Sequence, residues 1–254
     1  MLCQICLKRR AKLNMKNFNF NNNKKPAFTL AEAMITIGLI GIVAAMTMPM
    51  LMTNYQKKVT ITQLKKVYHE LNQAMKFAVA DAKFEDLNYN QSAYKFFKQY
   101  MTSMMVVSET TMGQHKAKGN KYRGISGAEE TRLSAFNDND TRIVNLNNGA
   151  QLILYNKMHT WSANKGPYIY IDVNGFAPPN VFGKDLYCIF ITKDNKVSFW
   201  NSNDNEPVKK AVPREVLIGN GSTGGYACNA QSRGMWCGAL LQADGWEFRK
   251  DYPW

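Results

Sequence analysis

The first strong pattern along the chain is an unbroken apolar run near the N-terminus. Residues 33–52 contain no Asp, Glu, Lys, Arg or His. As a helix, these 20 residues at about 1.5 Å each would be about 30 Å long, which is the hydrocarbon thickness of a bilayer. Soluble helices rarely stay apolar on every side for five turns. We therefore predict that this run crosses a membrane once.

The next segment has apolar residues on only one face of a helix. Lysines and glutamines lie off the apolar stripe, as in a helix that is half-buried on a sheet. Pro49 lacks an N–H, so we expect it to break or loosen the helix between the two patterns. The prediction is one long helix, transmembrane over 28–53 and amphipathic over 54–83. The stripe comprises Val59, Leu64, Val67, Tyr68, Leu71, Met75, Ala78, Val79 and Ala82.

The remaining residues, 84–254, predict a globular head. Residues 91–107 indicate a short helix, and 113–142 indicate a polar loop. Alternating β-branched and aromatic residues then predict four or five antiparallel strands, with Asn-Asn-Gly at 147–149 as the first hairpin turn. The predicted fold class is α+β, a long N-terminal helix packed on an antiparallel β-sheet. The strand sequences are RIVNL, AQLILYN, YIYIDV, LYCIFIT and VSFW.

Charge separates a basic leader from the rest of the chain. Net charge is +13, and seven of the 32 basic residues lie in residues 1–27, which contain no acid. Only four lysines closely follow the apolar run, so the positive-inside tendency favours a cytoplasmic N-terminus and an exported head. Outside the leader there is no stripe of basic residues with interleaved aromatics, so we expect no nucleic-acid binding.

The junction between leader and apolar run carries a specific motif. The sequence FTLAE occupies residues 28–32, directly after two lysines, a proline and an alanine. This arrangement resembles the class III signal of type IV prepilins and type II secretion pseudopilins. In that family a prepilin peptidase cuts just before the phenylalanine and methylates its new amine. The resemblance implies a cut between Ala27 and Phe28, which would remove residues 1–27 as a leader peptide.

Two features of the leader depart from the family. The family usually has glycine before the cut, whereas this chain has Ala27 preceded by Pro26. The leader is also long, and an internal start at Met15 would give the shorter leader MKNFNFNNNKKPA. Met1 and Met15 both stay open as the first residue.

The resemblance also implies roles for Glu32 and Pro49. After the cut Glu32 becomes the fifth residue, where the family has its glutamate, and Pro49 becomes the twenty-second, where many members carry a helix-loosening proline. A charge inside a membrane is costly unless it is paired. We therefore expect Glu32 of one subunit to pair with the methylated amine of Phe28 on its neighbour during assembly.

The expected function is structural rather than enzymatic. The resemblance implies a pilus-like or pseudopilus subunit that crosses the bacterial inner membrane once, then joins a filament in the periplasm or at the cell surface. Expected partners are prepilin peptidase, other pilin or pseudopilin subunits and the inner-membrane assembly platform. An anchored extracytoplasmic binding module that never polymerises is the alternative. An exported enzyme is a third reading, but the sequence has no GxSxG motif and its histidines show no ligand spacing, so we predict no catalytic residue.

The cysteines of the head give a further expectation. If the head is exported, Cys228 and Cys237 are expected to pair, as in the many pilins that close their C-terminal region with a disulfide. Such a short bridge would stabilise the fold by about 2–3 kcal/mol. Cys188, within an apolar run, is expected to be a buried thiol in a strand.

One segment of the head has the composition of a cation site. Residues 172–175, Asp-Val-Asn-Gly, are similar to the start of a calcium loop, although the twelfth position is Gly183 rather than the glutamate of an EF-hand. Two interpretations stay open. Asp172, Asn174 and Asp185 could form an irregular oxygen-rich calcium site, as some pseudopilins have in loops, or the segment is only an Asx turn. No other metal or cofactor is predicted.

Overall fold

A computed structural model describes residues 28–81, 87–130, 133, 141–155, 165–201, 212–219 and 225–254, except positions 90, 102, 105, 118, 120, 176 and 193. The predicted leader, with Ala27, lies outside the described residues. The helices are α1 (Leu30–Asp81), α2 (Ala93–Tyr100), α3 (Met112–Ala117), α4 (Arg214–Ile218) and α5 (Cys237–Ala243). The strands are β1 (Val106–Thr111), β2 (Thr141–Leu146), β3 (Gln151–Tyr155), β4 (Lys165–Asp172), β5 (Leu186–Thr192) and β6 (Val197–Phe199).

The predicted long N-terminal helix is present as α1. Its assignment runs through Pro49 without interruption. The chain divides into two compact units, residues 1–50 and 51–254, so the division falls inside this helix, one residue after the proline. The N-terminal unit therefore contains nearly all of the apolar run, and the second unit contains the amphipathic part of α1 together with the head.

The amphipathic part of α1 buries one face, as its pattern predicts. Within this part, side chains every three or four residues are buried, whereas the intervening lysines are not. This burial supplies the apolar surface that holds the helix on the head. Val79, which the stripe included, is 39% exposed, and Ala82 lies outside the described residues. The buried residues are Thr60, Leu64, Val67, Leu71, Ala74, Met75 and Ala78.

All six strands form one antiparallel sheet in chain order, β1 to β6. Each strand therefore pairs with the next along the chain, although residues 112–140, which include α3, separate β1 from β2. The predicted hairpin joins β2 to β3, where the Asn148 side chain accepts a hydrogen bond from the Ala150 N–H and Gly149 has a φ of 87°. Gly149 therefore occupies the left-handed backbone region that glycine enters without steric cost. The α+β class is confirmed.

The segment before the sheet differs from the sequence-based expectation. Residues 91–107 were predicted as one helix, but α2 ends at Tyr100 and Val106 begins the edge strand β1. The pair Val106-Val107 is β-branched and joins the sheet by pairing with β2, although two methionines, at positions 104 and 105, directly precede it. The predicted loop over 113–142 likewise contains most of α3 and the first residues of β2.

The C-terminal residues pack on the amphipathic part of α1. Tyr68 stacks on Phe199 of β6, with ring centroids 5.2 Å apart, and also contacts Trp246. Its hydroxyl donates to the Val197 carbonyl oxygen at 3.1 Å. The Lys57 ammonium lies 5.6 Å from the ring centroid of Trp254, at cation–π distance. The second unit thus closes its core with residues from both ends of its sequence.

Candidate functional site

In the N-terminal unit, the described residues leave the apolar surface of the helix uncovered. Its large apolar side chains, from Phe28 to Met50, are all more than half exposed. The helix has a stretch long enough and apolar enough to cross a membrane. At Gly38 and Gly41, no heavy atom of the described residues lies within 4 Å of the position that a Cβ would occupy. Other apolar groups, of lipid or of protein, could therefore approach the backbone closely at these two positions.

The helix begins with a capping box that links Thr29 to Glu32. The Thr29 carbonyl oxygen accepts the first intrahelical hydrogen bond, from Ala33 N–H at 3.1 Å. The Glu32 N–H donates to Thr29 Oγ1 at 3.2 Å, and the Thr29 N–H donates back to Glu32 Oε2 at 3.0 Å. The Thr29 hydroxyl donates to the same oxygen at 2.9 Å. This reciprocal arrangement satisfies two backbone donors that a helix start leaves unpaired.

The capping box uses only one of the two carboxylate oxygens of Glu32. Both bonds from Thr29 go to Oε2, and Oε1 of Glu32 accepts no hydrogen bond within the described part of the chain. The side chain is exposed, and Phe28 beside it is 85% exposed. Glu32 is therefore fixed in direction by its own helix while one carboxylate oxygen still faces outward. Thr29 was not singled out from sequence, although the spacing Thr-x-x-Glu is the signature of this cap.

A second group of polar residues lies at the connection between β4 and β5. Asp172 is the last residue of β4 and pairs with Leu186, the first of β5, so Asp185 directly precedes the strand partner of Asp172. Both aspartates are almost completely buried. The Asp185 carboxylate accepts from the Asn180 N–H at 2.8 Å and from the Val181 N–H at 2.6 Å. The loop thus folds around one carboxylate and brings the other beside it.

The electrostatics of this loop are unfavourable for two negative charges. Burial raises the pKa of Asp172, and the negative charge of Asp185 raises it further, against two backbone N–H groups that lower it. Burial also raises the pKa of Asp185, opposed by hydrogen bonds from Val181, Asn180 and Asn174. Neither aspartate forms an ion pair with a lysine or arginine of the described residues. The Asx turn expected from sequence is present, since the Asn174 N–H donates to Asp172 Oδ1 at 3.3 Å.

The disulfide between Cys228 and Cys237 lies against this same loop. Its Cα atoms are 4.7 Å apart. A Cβ placed on Gly183 would lie 2.7 Å from Cys237 Sγ, so only glycine fits beside the bridge. The Tyr252 hydroxyl donates to the Gly183 carbonyl oxygen at 2.5 Å. The predicted bridge is therefore present, and with the C-terminal tyrosine it holds the β4–β5 connection in place. Cys188 is buried in β5.

Removing the bridge is expected to lower the stability of the second unit measurably. Replacing both Cys228 and Cys237 with serine should reduce the free energy of unfolding by about 2–3 kcal/mol, because the unfolded chain regains the entropy of an open nine-residue span. Urea unfolding of the full chain in detergent, followed by tryptophan fluorescence, measures this change. Cys188→Ser serves as a control for loss of a thiol outside the bridge. An unfolding midpoint equal to that of the parent protein would contradict the structural role.

The structure assigns the remaining candidate residues to separate parts of the chain. Phe28, Glu32 and Pro49 belong to the N-terminal unit, whereas the aspartates and cysteines belong to the second unit. Among the described residues there is no group of three or more His, Cys, Asp or Glu side chains that could hold a metal ion. Asn180 was missed from sequence, because its position depends on how the loop folds back toward Asp185.

Comparison with known proteins identifies one family. A family model described as "Family of unknown function (DUF6613)" matches residues 50–254. This match covers the second unit and leaves the apolar run before residue 50 outside it. No curated protein and no solved structure matches the chain.

Proposed function

The chain belongs to the Family of unknown function (DUF6613), and we propose that it is a filament subunit of the type IV pilin or type II secretion pseudopilin kind. In this proposal, prepilin peptidase cuts between Ala27 and Phe28 and methylates the new amine. The subunit waits in the bacterial inner membrane with its head outside the cytoplasm. An inner-membrane assembly platform then moves it into a filament in the periplasm or at the cell surface.

One observation carries the proposal, namely the capped and uncovered start of α1. A helix that only anchored a protein would need apolar side chains, but it would not need an oriented carboxylate at its membrane end. Here Thr29 holds the Glu32 side chain in one direction, and Oε1 remains able to accept from another donor. The exposed apolar side chains behind it supply the surface that neighbouring helices would cover.

The chemistry of the cut supplies the missing donor. Hydrolysis of the Ala27–Phe28 peptide bond adds water, leaves a carboxylate on Ala27 and gives Phe28 an amine. The methylated amine remains cationic at neutral pH and keeps N–H donors for a carboxylate. An amine on one subunit and Glu32 on the next would neutralise each other inside a helix bundle. This pairing would also fix how far one helix is shifted along its neighbour.

The direct test is the mass of the N-terminal peptide from filament and membrane fractions. We expect the chain to begin at Phe28 with one methyl group on its amine. Ala27→Gly, which restores the residue usual in the family, should be cut at least as completely, whereas Ala27→Leu should retain the leader because the position before the cut requires a small side chain. Assembled chains that keep residues 1–27 would overturn the proposal.

The same fractions separate the proposal from its alternative. An anchored binding module would stay in the membrane fraction as single chains, with the leader uncut. A cut and methylated chain that is also recovered in sheared filaments supports the subunit role. An uncut chain that is found only in the membrane, as single chains, would favour the anchored module instead.

A further inference from the structure

The connection between β4 and β5 contains buried oxygen atoms that have no donor. Asp172 Oδ2, Asn174 Oδ1 and Asn180 Oδ1 are buried, and no hydrogen-bond partner for them exists among the described residues. Asp172 and Asn180 are 0% and 5% exposed. Folded proteins satisfy nearly all of their buried polar atoms, and each exception suggests an unseen partner such as water or an ion. Three such atoms within nine residues need a common explanation.

Hydrogen bonds and charge link these three residues to Asp185 or to each other. Asn180 donates its backbone N–H to Asp185 Oδ2 at 2.8 Å, and the Asn174 side chain donates to the same carboxylate. Asp172 is tied to Asn174 by the Asx turn and lies close enough to Asp185 for the two carboxylates to repel each other. The loop therefore holds two neighbouring carboxylates together with Asn174 and Asn180, whose amide oxygens have no donor.

The ligand set selects a hard cation. Carboxylates and amide carbonyls without nitrogen or sulfur suit Ca²⁺ or Mg²⁺ rather than zinc or copper. Ca²⁺ takes six to eight oxygens in flexible geometry, whereas Mg²⁺ requires a near-ideal octahedron and retains its waters. An irregular loop with Pro178 and Pro179 between its ligands offers the first kind of site. Asn180 has a φ of 54°, and its backbone N–H donates to Asp185.

We propose that the β4–β5 connection is a calcium site whose protein ligands are Asp172, Asn174, Asn180 and Asp185. A cation of charge +2 would neutralise the two carboxylates and give the three unsatisfied oxygens a partner. The Asx turn uses only Oδ1 of Asp172, so the turn and the ion are compatible. This inference does not rest on filament assembly, since all four residues lie in the second unit.

A cation can reach the site from solvent, and a nearby positive charge limits how tightly the site can bind it. Asn174 and Asp185 line an open cavity of about 290 Å³, together with Pro178, Pro179 and Lys184. Solvent in this cavity can complete the coordination shell, as water does in many calcium loops. Lys184 brings one positive charge to the same cavity, which opposes cation binding. We therefore expect a dissociation constant of about 10⁻⁴–10⁻³ M, the range of extracellular calcium modules.

Calcium titration of the full chain in detergent micelles tests the site. After removal of divalent ions with EDTA, millimolar Ca²⁺ should raise the thermal unfolding midpoint, and Mg²⁺ at the same concentration should raise it less. Asp172→Asn should weaken calcium binding at least about tenfold, because it removes a charged ligand. Without calcium this variant should unfold at a higher temperature than the parent protein, because the repulsion from Asp185 is gone.

A second variant distinguishes loss of calcium binding from loss of folding. Asn180→Gly removes an amide oxygen while keeping a residue that tolerates positive φ, and it should also lose the calcium response. Matched controls are Asp194→Asn and Asn195→Gly in the β5–β6 turn, where Asn195 has a φ of 61°; both should respond to calcium like the parent. No calcium response in the parent, or equal responses in all variants, would overturn the proposal.

Discussion

Replacing Glu32 with glutamine is expected to abolish recovery of the chain in filaments while leaving its membrane insertion unchanged. Glutamine at this position can still accept the Thr29 N–H, because the capping box works with either glutamate or glutamine. The variant therefore keeps the helix start and loses only the negative charge. If Glu32 pairs with the amine of a neighbouring Phe28, the amine would enter the helix bundle without a counter-charge, which strongly opposes assembly.

The measurement compares sheared filament material with the carbonate-extracted membrane fraction for each variant. Thr29→Ala removes the two hydroxyl bonds of the cap and keeps the charge, so it should assemble, with a looser helix start. Thr29→Ser keeps both and should match the parent chain. If Glu32→Gln assembles like the parent, the role of Glu32 is the helix cap alone. If Thr29→Ala fails and Glu32→Gln succeeds, the cap rather than the charge is what assembly needs.

The capping box changes how the glutamate should be interpreted. From sequence, Glu32 stood out as a charge at the edge of an apolar run that was expected to pair with the amine of a neighbouring subunit. In the structure it has two separable capacities, since one carboxylate oxygen holds the helix start and the other faces outward. Alanine would remove both capacities together, so Glu32→Ala alone could not tell them apart. The comparison of glutamine with alanine can.

Sequence reasoning predicted the parts of the fold that depend on periodicity. The stripe on α1 repeats over many turns, and β2 to β6 are runs of β-branched and aromatic residues, so the long helix and four or five strands were predictable. The edge strand β1 was not, because Val106 and Val107 follow directly on residues with helical spacing and the strand is formed by pairing with β2. Pairing with β2 therefore makes this segment a strand, although its local pattern is that of a helix.

The candidate site residues also divide into those that local sequence spacing reveals and those that only the folded chain brings together. Glu32 and the two cysteines could be found because their spacing is local. Asn180 could not, since its place beside Asp185 depends on the turn through Pro178 and Pro179 and on the contacts of Gly183 with the disulfide and Tyr252. The C-terminal charge cluster was also missed, because Arg214 and Asp244 are 30 residues apart and meet only in the folded chain.

This C-terminal cluster surrounds one buried carboxylate. Arg214 donates to Asp244 Oδ1 and Oδ2 at 2.6 and 3.0 Å, and to Asp251 at 2.7 and 2.8 Å. The Asp244 side chain is 1% exposed, whereas the Asp251 side chain is 51% exposed. Arg249 also approaches Asp244, at 3.2 Å. The cluster ties α4 to the end of α5 and to the C-terminal residues, whose aromatic rings pack on α1.

Arg214→Met is expected to lower the free energy of unfolding by about 2–4 kcal/mol. Loss of one partner of a buried pair costs about 3–5 kcal/mol because the other charge stays buried and uncompensated. We expect a smaller loss of unfolding free energy here because Arg249 still faces Asp244. Asp251→Asn is the matched control, and since it alters only an exposed pair it should cost less than about 1 kcal/mol. Urea unfolding of the full chain in detergent, followed by tryptophan fluorescence, measures both.

A double variant tests the stated cause of this loss. If an uncompensated charge is responsible, Arg214→Met combined with Asp244→Asn should be more stable than Arg214→Met alone, because no buried charge is then left without a partner. If packing of the arginine side chain is responsible, the second substitution should bring no recovery. Equal losses for Arg214→Met and Asp251→Asn would show that the burial of Asp244 does not set the stability of the C-terminal region.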